Sequence, residues 1–272
     1  MNFAVLASGS KGNCTIIQAG DTTIMLDCGT TKKYLFQRLE ELEIKKENID
    51  ALVITHDHSD HISQLKQFLD LTIYAPIEVD AIHFNEVKAY RPFRIKDIEV
   101  MPLALSHDAY NTMGYVFTYQ NEKLVYVTDT GYISEKNKKH IHGSDAYIIE
   151  ANHDIDMLMS TRRPQFVKSR IFGDSGHLCN EDCAEILNQV ITSNTKFIVL
   201  AHLSQEANTK EKALQVVKDA LVNSPLVHKD AILCVSGQYE MIQKGVNHEK
   251  VDLGTVRCAI GLESGINSTG NE

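Results

Sequence analysis

The chain has 272 residues, of which 43% are hydrophobic, so it can fill the core of one large domain or two small ones. It contains no apolar run of the roughly 18 to 20 residues that span a bilayer, and its N-terminus lacks the basic and apolar regions of a signal peptide, so we expect a cytoplasmic protein without membrane contact. The formal net charge of −9 argues against a general coating of nucleic acid but not against a local basic patch.

Three short strands are predicted at the start of the chain, where apolar runs at 3–6, 15–18 and 23–26 are separated by turn-rich segments. They form an antiparallel meander. The glycine- and serine-rich loop after the first strand contains Ser10 and Asn13 and could bring backbone N–H groups close to a phosphate; a plain hairpin turn is the alternative. Asp27 ends the third strand, either as a group that orients a metal ligand or as a turn former.

A group of histidines follows the next predicted strand. After a helix over 34–42, the chain returns as a short buried strand over 51–54 and runs into Thr55-His56-Asp57-His58-Ser59-Asp60-His61. His56 and His58 leave the strand on the same side, because alternate residues of an extended chain share a face. Ser59 or Asp60 is the predicted N-cap of the helix that follows. Three histidines and a carboxylate in six positions are typical of a metal site.

Later strands repeat this pattern, because each delivers a histidine or an aspartate at its end. Strand 98–105 is followed by His107, the hairpin of 112–119 and 123–127 by Asp129, and strand 146–150 by His153. Strand 197–200 is followed by His202. A helix is also predicted over 78–90; it contains His83, which has no acidic or histidine neighbour and is interpreted as an ordinary surface histidine.

The second half of the chain is more helical. Helices are predicted over 156–159, 164–171 and 210–222, and a further helix is capped by Asn180 and runs to about residue 191. The segment 136–142 is basic and polar, loop 173–178 carries His177, and late strands are predicted over 232–235 and 239–242. The last residues, 264–272, are small and polar and are predicted to be disordered, so we expect a single domain over 1–263.

The candidate ligands divide into two sets by their positions. Imidazole and carboxylate together suit zinc, manganese or iron, and a carboxylate can bridge two ions. A lone histidine at a strand end is more often structural, but seven such residues at equivalent positions favour a metal centre. We expect one ion to bind His56, His58 and His107, a second to bind Asp60, His61 and His202, and Asp129 to bridge them.

Several of these segments resemble a known family. The segment 55–61 is similar to the signature of the metallo-β-lactamase fold superfamily, and His107, Asp129 and His202 fall where its later metal-ligand motifs would. Segments 5–10, 129–132, 150–154, 176–182 and 200–205 resemble the YycJ (WalJ) family of hydrolases in particular. The likeness runs from about residue 3 to residue 243. It implies an αββα sandwich, two mixed β-sheets flanked by helices, with the metals at one sheet edge.

The resemblance also implies an activity, that of a phosphodiesterase, and most often a nuclease that acts as an exonuclease on DNA or RNA. Two divalent ions per chain are implied, Zn²⁺ first, with Mn²⁺ or Fe²⁺ as alternatives. A hydroxide shared by the ions would attack phosphorus and donate a hydrogen bond to Asp60, while Asp27 would orient a ligand imidazole. His153 and His177 would bind the phosphate or protonate the leaving oxygen; a core hydrogen bond is the alternative for both.

The substrate is less sharply indicated than the metals. A nucleic acid or nucleotide phosphodiester needs cations beside the metals, and Arg162, Arg163 and Lys168 are the candidates, with Ser10 and Asn13 near the phosphate. Solvated surface charge is the alternative for the cations. Three other functions stay open: hydrolysis of a cyclic nucleotide or another small phosphodiester, hydrolysis of carbon esters or thioesters on the same fold, and a non-catalytic regulatory role. A homodimer is compatible with each.

Overall fold

Two mixed β-sheets form the centre of the structure, and helices cover the outer face of each. The computed structural model describes residues 1–77, 83–222 and 231–244, together with the backbone of Lys250–Asp252. The αββα sandwich expected from the sequence is confirmed. None of the helices in these ranges is long and apolar enough to cross a membrane. The predicted disordered tail, 264–272, lies outside the described residues.

The first half of the chain builds most of one sheet. Its elements are β1 (Asn2–Ala7), β2 (Cys14–Ala19), β3 (Thr22–Leu26), α1 (Lys32–Glu41), β4 (Ala51–Val53), α2 (Ser59–Ile62), β5 (Thr72–Ala75) and β6 (Asn85–Glu86). Strands β1 to β3 form the predicted antiparallel meander, and β3 to β6 continue the sheet in parallel. The parallel strands therefore all end at the same edge.

The second half builds the other sheet and most of the helices. Its elements are β7 (Phe93–Ile95), β8 (Ile98–Ala104), β9 (Met113–Tyr119), β10 (Glu122–Val127), α3 (Glu135–Ile141), β11 (Ala146–Glu150), α4 (Ile155–Ser160), α5 (Gln165–Phe172), α6 (Asn180–Val190), β12 (Phe197–Ala201), α7 (Lys210–Leu221), β13 (Ile232–Val235), β14 (Ile242–Gln243) and β15 (Lys250–Asp252). Strand β14 pairs with β1, and the others form an eight-stranded sheet in the order β15-β13-β12-β11-β10-β9-β8-β7. Strands β10 to β13 are parallel.

The core between the sheets is continuous and also carries polar links near the strand ends. Phe3 and Ile17 of the first sheet pack with Phe117 of the second, and all three are buried. Burying one such side chain contributes about 1.5–3 kcal/mol. The hydroxyl of buried Tyr115 donates to the carbonyl of Ile54 at 2.6 Å. This bond joins the sheets at the edge where the histidines lie.

The helix predicted over 78–90 is wrong for the part that the structure describes. Residues 83–90 contain the short strand β6 and irregular chain, and 78–82 lie outside the described residues. The backbone N–H of Val87 donates to Ala75 of β5, and that of Tyr90 donates to Pro102 of β8. Backbone partners at the edges of both sheets thus replace the helical bonds that the pattern suggested. His83, expected to lie in that helix, is exposed.

Helix ends and late strands also differ from the prediction. Helix α2 begins at Ser59 with His58 as its N-cap, and it ends after one turn because the His61 carbonyl accepts from the N–H of Cys28 at 2.7 Å. The cap of α6 is Cys179, whose sulfur accepts from Asp182, while the predicted cap Asn180 bonds Asn208. The basic segment 136–142 lies mostly in α3, and the strand predicted over 239–242 is reduced to β14.

Candidate metal centre

The proposed ligands lie where the parallel strands of both sheets end. Asp27 follows β3, His56 follows β4, Asp129 follows β10, Glu150 ends β11 and His202 follows β12. In open α/β sheets, ligands bind outside the carboxyl ends of the strands. Backbone bonds join the two edges, since the N–H of Met113 donates to Thr55 at 3.0 Å and the N–H of His202 donates to the hydroxyl of Ser8 at 2.8 Å. The two sheets therefore present one common edge.

The backbone is strained at three of these positions. Asp27, Asp129 and His202 have φ values of +57°, +58° and +57°. A residue other than glycine in this left-handed region costs roughly 1–3 kcal/mol, and such residues concentrate at functional sites. All three side chains are buried, and each contacts a histidine or a carboxylate of the centre.

The structure brings the three nitrogen ligands expected for the first ion together. One ligand atom from each of His56, His58 and His107 lies within 4.8 Å of the others. The ring of His56 is 4.6 Å from that of His58 and 5.3 Å from that of His107, measured between centroids. His58 is the most open of the three, at 38% side-chain exposure, so this half of the centre faces solvent.

The ligands expected for the second ion also meet, with Asp129 between the two sets. Asp60, His61 and His202 offer ligand atoms within 4.8 Å of one another. The two carboxylate oxygens of Asp129 point in different directions: Oδ2 is 3.2 Å from Nε2 of His61, while Oδ1 is 3.3 Å from Nε2 of His202 and 3.8 Å from Nε2 of His107. Asp129 thus lies within reach of both ligand sets, and that it would bridge two ions stays a prediction.

Hydrogen bonds at Nδ1 assign the tautomer of four of these histidines. The Nδ1–H of His61 donates to Asp27 at 2.8 Å, and that of His202 donates to Glu150 at 2.7 Å. His56 uses Nδ1 on the hydroxyl of Thr55 at 3.0 Å, and His107 uses Nδ1 on the carbonyl of Gly176 at 3.3 Å. A neutral histidine that donates through one nitrogen keeps a lone pair on the other, which is the form that binds a metal. Burial would lower the pKa values of His61 and His202, but their carboxylate neighbours raise them, so a cation bound there would displace a proton from Nε2.

The freed lone pairs fit a divalent cation. Nε2 of His56 and Nε2 of His202 are buried and have no hydrogen-bond partner among the residues that the structure describes. A buried polar atom without a partner costs about 1–3 kcal/mol, and these atoms face the cluster. Imidazole nitrogens together with carboxylate oxygens form a donor set suited to zinc and to other divalent transition metals. The residues present therefore fit divalent metal ions.

The charges of the centre are tightly coupled. Burial raises the pKa of Asp27 above its usual range, although the neighbouring His61 opposes this effect. Burial would lower the pKa of His61, but Asp27 and Asp129 outweigh it and hold that pKa well above its ordinary value. Burial would raise the pKa of Asp129, but His202 and His61 hold it well below its ordinary value. The carboxylate of Asp129 is thus kept ionised for a cation.

Glu150 is a site residue without an assigned role in the sequence-based prediction. Its fully buried carboxylate accepts from Nδ1 of His177 at 2.8 Å and from Nδ1 of His202 at 2.7 Å through the same oxygen. Burial would raise the pKa of Glu150, but these two imidazoles lower it to about 2. The available signal was a charged residue that ends a wholly apolar strand. Its four-residue group, Asp129, Glu150, His177 and His202, is compact enough to hold a cation itself.

The loop between β1 and β2 reaches the second set of ligands. Asn13 is fully buried; its Oδ1 accepts from the N–H of Gly9 at 2.8 Å, and its Nδ2 lies 3.0 Å from Nε2 of His61 and 3.5 Å from Oδ2 of Asp60. Ser10 is exposed and borders a shallow cavity of about 350 Å³ that Asp60 also lines. Asn13 thus contacts the ligands, while Ser10 faces the space beside them.

The remaining sequence-based candidates belong to none of the compact ligand groups among the described residues. His153 is buried, its ring centroid lies 6.2 Å from that of Phe172, and burial lowers its pKa to about 4, although the nearby Glu150 opposes this effect. Lys168 is buried, and its ammonium donates to the carbonyl of Met159, which joins α5 to α4. Arg163 donates to Glu206 at 2.8 Å, and Arg162 is exposed. The ammonium of Lys168 is thus used within the protein, whereas the substrate roles of His153, Arg162 and Arg163 stay predictions.

A divalent-cation site at the common edge of two sheets in an αββα sandwich defines a class, the metal-dependent hydrolases of the metallo-β-lactamase fold. A family model described as the beta-lactamase superfamily domain matches residues 22–202. The solved structure of the metallo-β-lactamase fold protein YhfI from Bacillus subtilis superposes with a TM-score of 0.66 at 15% identity, covering 89% of this chain and 98% of that one. This second likeness shows the fold.

Two curated proteins give the branch within that class. Exodeoxyribonuclease YycJ from Bacillus anthracis is 38% identical over 237 residues, covering 81% of this chain and 89% of that protein. Exodeoxyribonuclease WalJ from Streptococcus pneumoniae serotype 2 is 34% identical over 242 residues, covering 82% of this chain and 89% of that protein. The chain therefore belongs to the YycJ/WalJ branch of the β-lactamase superfamily, as the sequence motifs indicated.

Proposed function

We propose that the protein is an exodeoxyribonuclease, a phosphodiesterase that removes nucleotides from DNA with two divalent ions, Zn²⁺ first and Mn²⁺ or Fe²⁺ as alternatives. The observation that carries this proposal is the pair of Glu150 and His177 beside the metal centre. The imidazole of His177 is 21% exposed, and Glu150 holds its Nδ1 at 2.8 Å. Relatives that align with more than four-fifths of the chain are named exodeoxyribonucleases, which supports DNA as the substrate.

A phosphodiester makes a specific demand that this pair meets. The leaving group is a sugar alkoxide, so cleavage at neutral pH needs an acid at the leaving oxygen as well as a nucleophile. The Glu150 carboxylate accepts from Nδ1 of His177 and so fixes the orientation of the ring. A proton carried on Nε2, the nitrogen that does not contact Glu150, can then be given to the leaving oxygen. His177 thus acts as the general acid, and Glu150 orients it.

Asp60 and Asn13 serve the attack of water on the phosphorus atom. Divalent ions held by the two ligand sets would neutralise phosphate oxygens and lower the pKa of a bound water. Asp60 is 23% exposed and borders the shallow cavity, so its carboxylate can accept a proton from the attacking water. Asn13 is fixed by Gly9 and lies 3.5 Å from Oδ2 of Asp60, a distance from which it can orient that carboxylate.

The space beside Asp60 suits a phosphate of the strand. Ser10 and Lys11 border the cavity, and both side chains are exposed. The hydroxyl of Ser10 and the ammonium of Lys11 can bind a phosphate next to the scissile one. A nucleic-acid strand carries such a second phosphate, whereas an apolar ester does not.

An enzyme for DNA works in the compartment that holds DNA, which in bacteria such as the source organisms of these relatives is the cytoplasm.

A turnover panel tests the proposal. Metal-depleted protein is loaded with Zn²⁺ or Mn²⁺ and supplied with 5′- and 3′-labelled DNA and RNA oligonucleotides, cyclic nucleotides and a generic phosphodiester. We expect labelled mononucleotides from DNA, and loss of turnover in both Asp60→Ala and His177→Ala. The exposed Asp57→Asn serves as a matched control within the same motif. Turnover of cyclic nucleotides without turnover of DNA, or full activity of Asp60→Ala, would contradict the proposal.

A further inference from the structure

Exposed apolar side chains are concentrated beside the metal centre. Seven large ones are exposed among the described residues, and five of these stand on α4, on α5 or on the segments that directly follow His107 and Asp129: Tyr110, Tyr132, Met159, Phe166 and Phe172. Single exposed apolar residues are ordinary on a surface, but a concentration around one site marks an interaction surface. Two of these elements are joined to the half of the centre supplied by the second sheet, since Arg170 of α5 lies 3.4 Å from Asp108, the residue after His107.

Contacts through Asp108 and Gly176 attach helix α5 to the metal centre. Oδ1 of Asp108 lies 3.2 Å from Nε2 of His107, and Oδ2 of the same carboxylate lies 3.4 Å from Arg170 of α5. The end of α5 also packs on the segment that carries His177, because a Cβ atom on Gly176 would meet the carbonyl of Ile171 at 2.1 Å. Helix α5 therefore begins at the surface and ends against the centre.

Three side chains share the outer side of this junction, and we call them the aromatic rim: Tyr110, Phe166 and Arg170. Phe166 and Arg170 are four residues apart on α5 and so lie on the same face of the helix. Tyr110 is two residues beyond Asp108, the partner of Arg170. Tyr110 is 75% exposed, Phe166 is 76% exposed and the Arg170 side chain is 66% exposed. Two open rings thus stand on the two segments that Arg170 and Asp108 join, and Asp108 also contacts the ligand His107.

The composition of the rim fits nucleotides better than a second protein surface. A stable interface between protein copies buries about 800 Å² on each partner around an apolar centre, whereas here separate rings alternate with a cation and the carboxylate of Asp108. Bases stack on exposed aromatic rings and on guanidinium planes, and the cation also attracts the phosphate chain. The carboxylate of Asp108 connects the rim to the centre, because it contacts both Arg170 and His107.

We propose that the aromatic rim holds unpaired bases of the strand whose phosphate is cut at the metal centre, so that the substrate end enters single-stranded or frayed. Paired bases in a duplex have their faces covered by stacking, so they cannot occupy two separate rings without first opening. This inference rests on the proposed nuclease function and gives it a substrate form. Base–aromatic stacking contributes about 1–3 kcal/mol per base, which corresponds to roughly 5- to 150-fold in affinity for each ring.

Fluorescence anisotropy with two oligonucleotides tests the rim. Both are single strands with the same phosphorothioate linkages, which resist cleavage; one carries thymine bases, and the other is abasic. For the double variant Tyr110→Ala/Phe166→Ala of the metal-loaded protein, we expect at least a tenfold loss of affinity for the thymine strand and no comparable loss for the abasic strand. The pair Tyr110→Phe/Phe166→Tyr, which keeps both rings, should bind the thymine strand as the wild type does.

Controls separate this proposal from the proposed function. Tyr239→Ala removes an exposed ring that lies outside the rim and should leave affinity for the thymine strand unchanged. Thermal unfolding of each variant checks folding. An equal loss of affinity for both strands, or no loss, would overturn the proposal. A wild-type dimer that becomes a monomer in the double variant, measured by sedimentation, would also overturn it, because the rings would then pack against a second copy of the chain. Turnover by the wild type tests the nuclease proposal independently of these affinities.

Discussion

The two sheets contribute to the metal centre in different ways. The first sheet supplies His56, His58, Asp60 and His61 from one turn and one short helix after a single strand, β4. The second sheet supplies one residue at a time, with His107, Asp129 and His202 following three separate strands. Two of these three residues have positive φ, whereas none of the four from the first sheet does. The first sheet thus contributes one compact motif, and the second sheet contributes residues from the ends of several strands.

Despite this difference, the two sheets share one arrangement of side chains. Each sheet places a fully buried carboxylate behind a histidine of the second ligand set: Asp27 behind His61 at 2.8 Å, and Glu150 behind His202 at 2.7 Å. Glu150 also holds His177, which we propose as the general acid, so the second sheet would combine ligand orientation with acid catalysis. Under the proposed function, the first sheet would mainly position the ions, whereas the second sheet would also serve the leaving group.

The largest expected effect comes from the residue that joins the halves. Asp129→Asn removes the charge that both sets share, so we expect turnover of DNA to fall by at least about 10³-fold, or ~4 kcal/mol of transition-state stabilisation, together with loss of bound metal. Steady-state kinetics and metal analysis measure both. The exposed Asp57→Asn, in the first-sheet motif, should stay within about twofold of the wild type. A fully active Asp129→Asn protein would show that the halves work separately.

Variants of Glu150 and Asp27 separate the orientation of metal ligands from acid catalysis. Because both orient a ligand imidazole, Asp27→Asn and Glu150→Gln should each weaken metal binding by about 10- to 100-fold. Glu150→Gln should lower kcat at saturating metal by a further factor of about 10²–10⁴, because His177 loses its partner as general acid. Competition with a chromogenic chelator and kinetics at saturating metal separate the two effects. The exposed Glu135→Gln on α3 is the control, and equal kcat for the two variants would contradict the division.

Removal of the metals should affect stability as well as activity. A cation bound at about 1,000 times its dissociation constant stabilises the folded state by about 4 kcal/mol, which corresponds to a Tm shift of roughly 8–16 °C for a chain of this size. Dialysis against a chelator followed by thermal unfolding measures the shift. Asp129→Asn should show a much smaller shift, because its site is already impaired. An unchanged Tm after complete metal removal in the wild type would be evidence against a buried metal centre.

The smallest expected effect separates structure from substrate binding. Lys168 joins α5 to α4 through the Met159 carbonyl, so Lys168→Met should lower the free energy of unfolding by about 1–2 kcal/mol. Its affinity for DNA should not change. Arg162→Met removes an exposed charge and should leave stability unchanged while it weakens DNA binding at low salt. Denaturant unfolding measures the stability of both variants, and salt-dependent binding measures their affinity for DNA. The reverse pattern would show that Lys168 binds the substrate.

The sequence predicts the first-sheet half of this site well, because strand, ligands and helix are contiguous between Ala51 and Ile62. His107, Asp129 and His202 were also accessible, since each follows an apolar strand. Glu150 and His153 show the limit. Glu150 ends β11 and bonds two imidazoles of the centre, whereas His153, three residues later, belongs to no compact ligand group among the described residues, although both side chains are fully buried. Which side chain reaches the edge depends on how β11 lies between β10 and β12, and no local pattern encodes that.

The central claim is that two half-sites, one from each sheet, act on one phosphodiester through two ions joined by Asp129. Titration of metal-depleted protein with Mn²⁺, with bound metal and nucleotide release from labelled DNA measured in the same samples, tests this claim most directly. We predict little turnover at one ion per chain and full turnover at two. Full activity at one ion per chain, or activity with none, would contradict it.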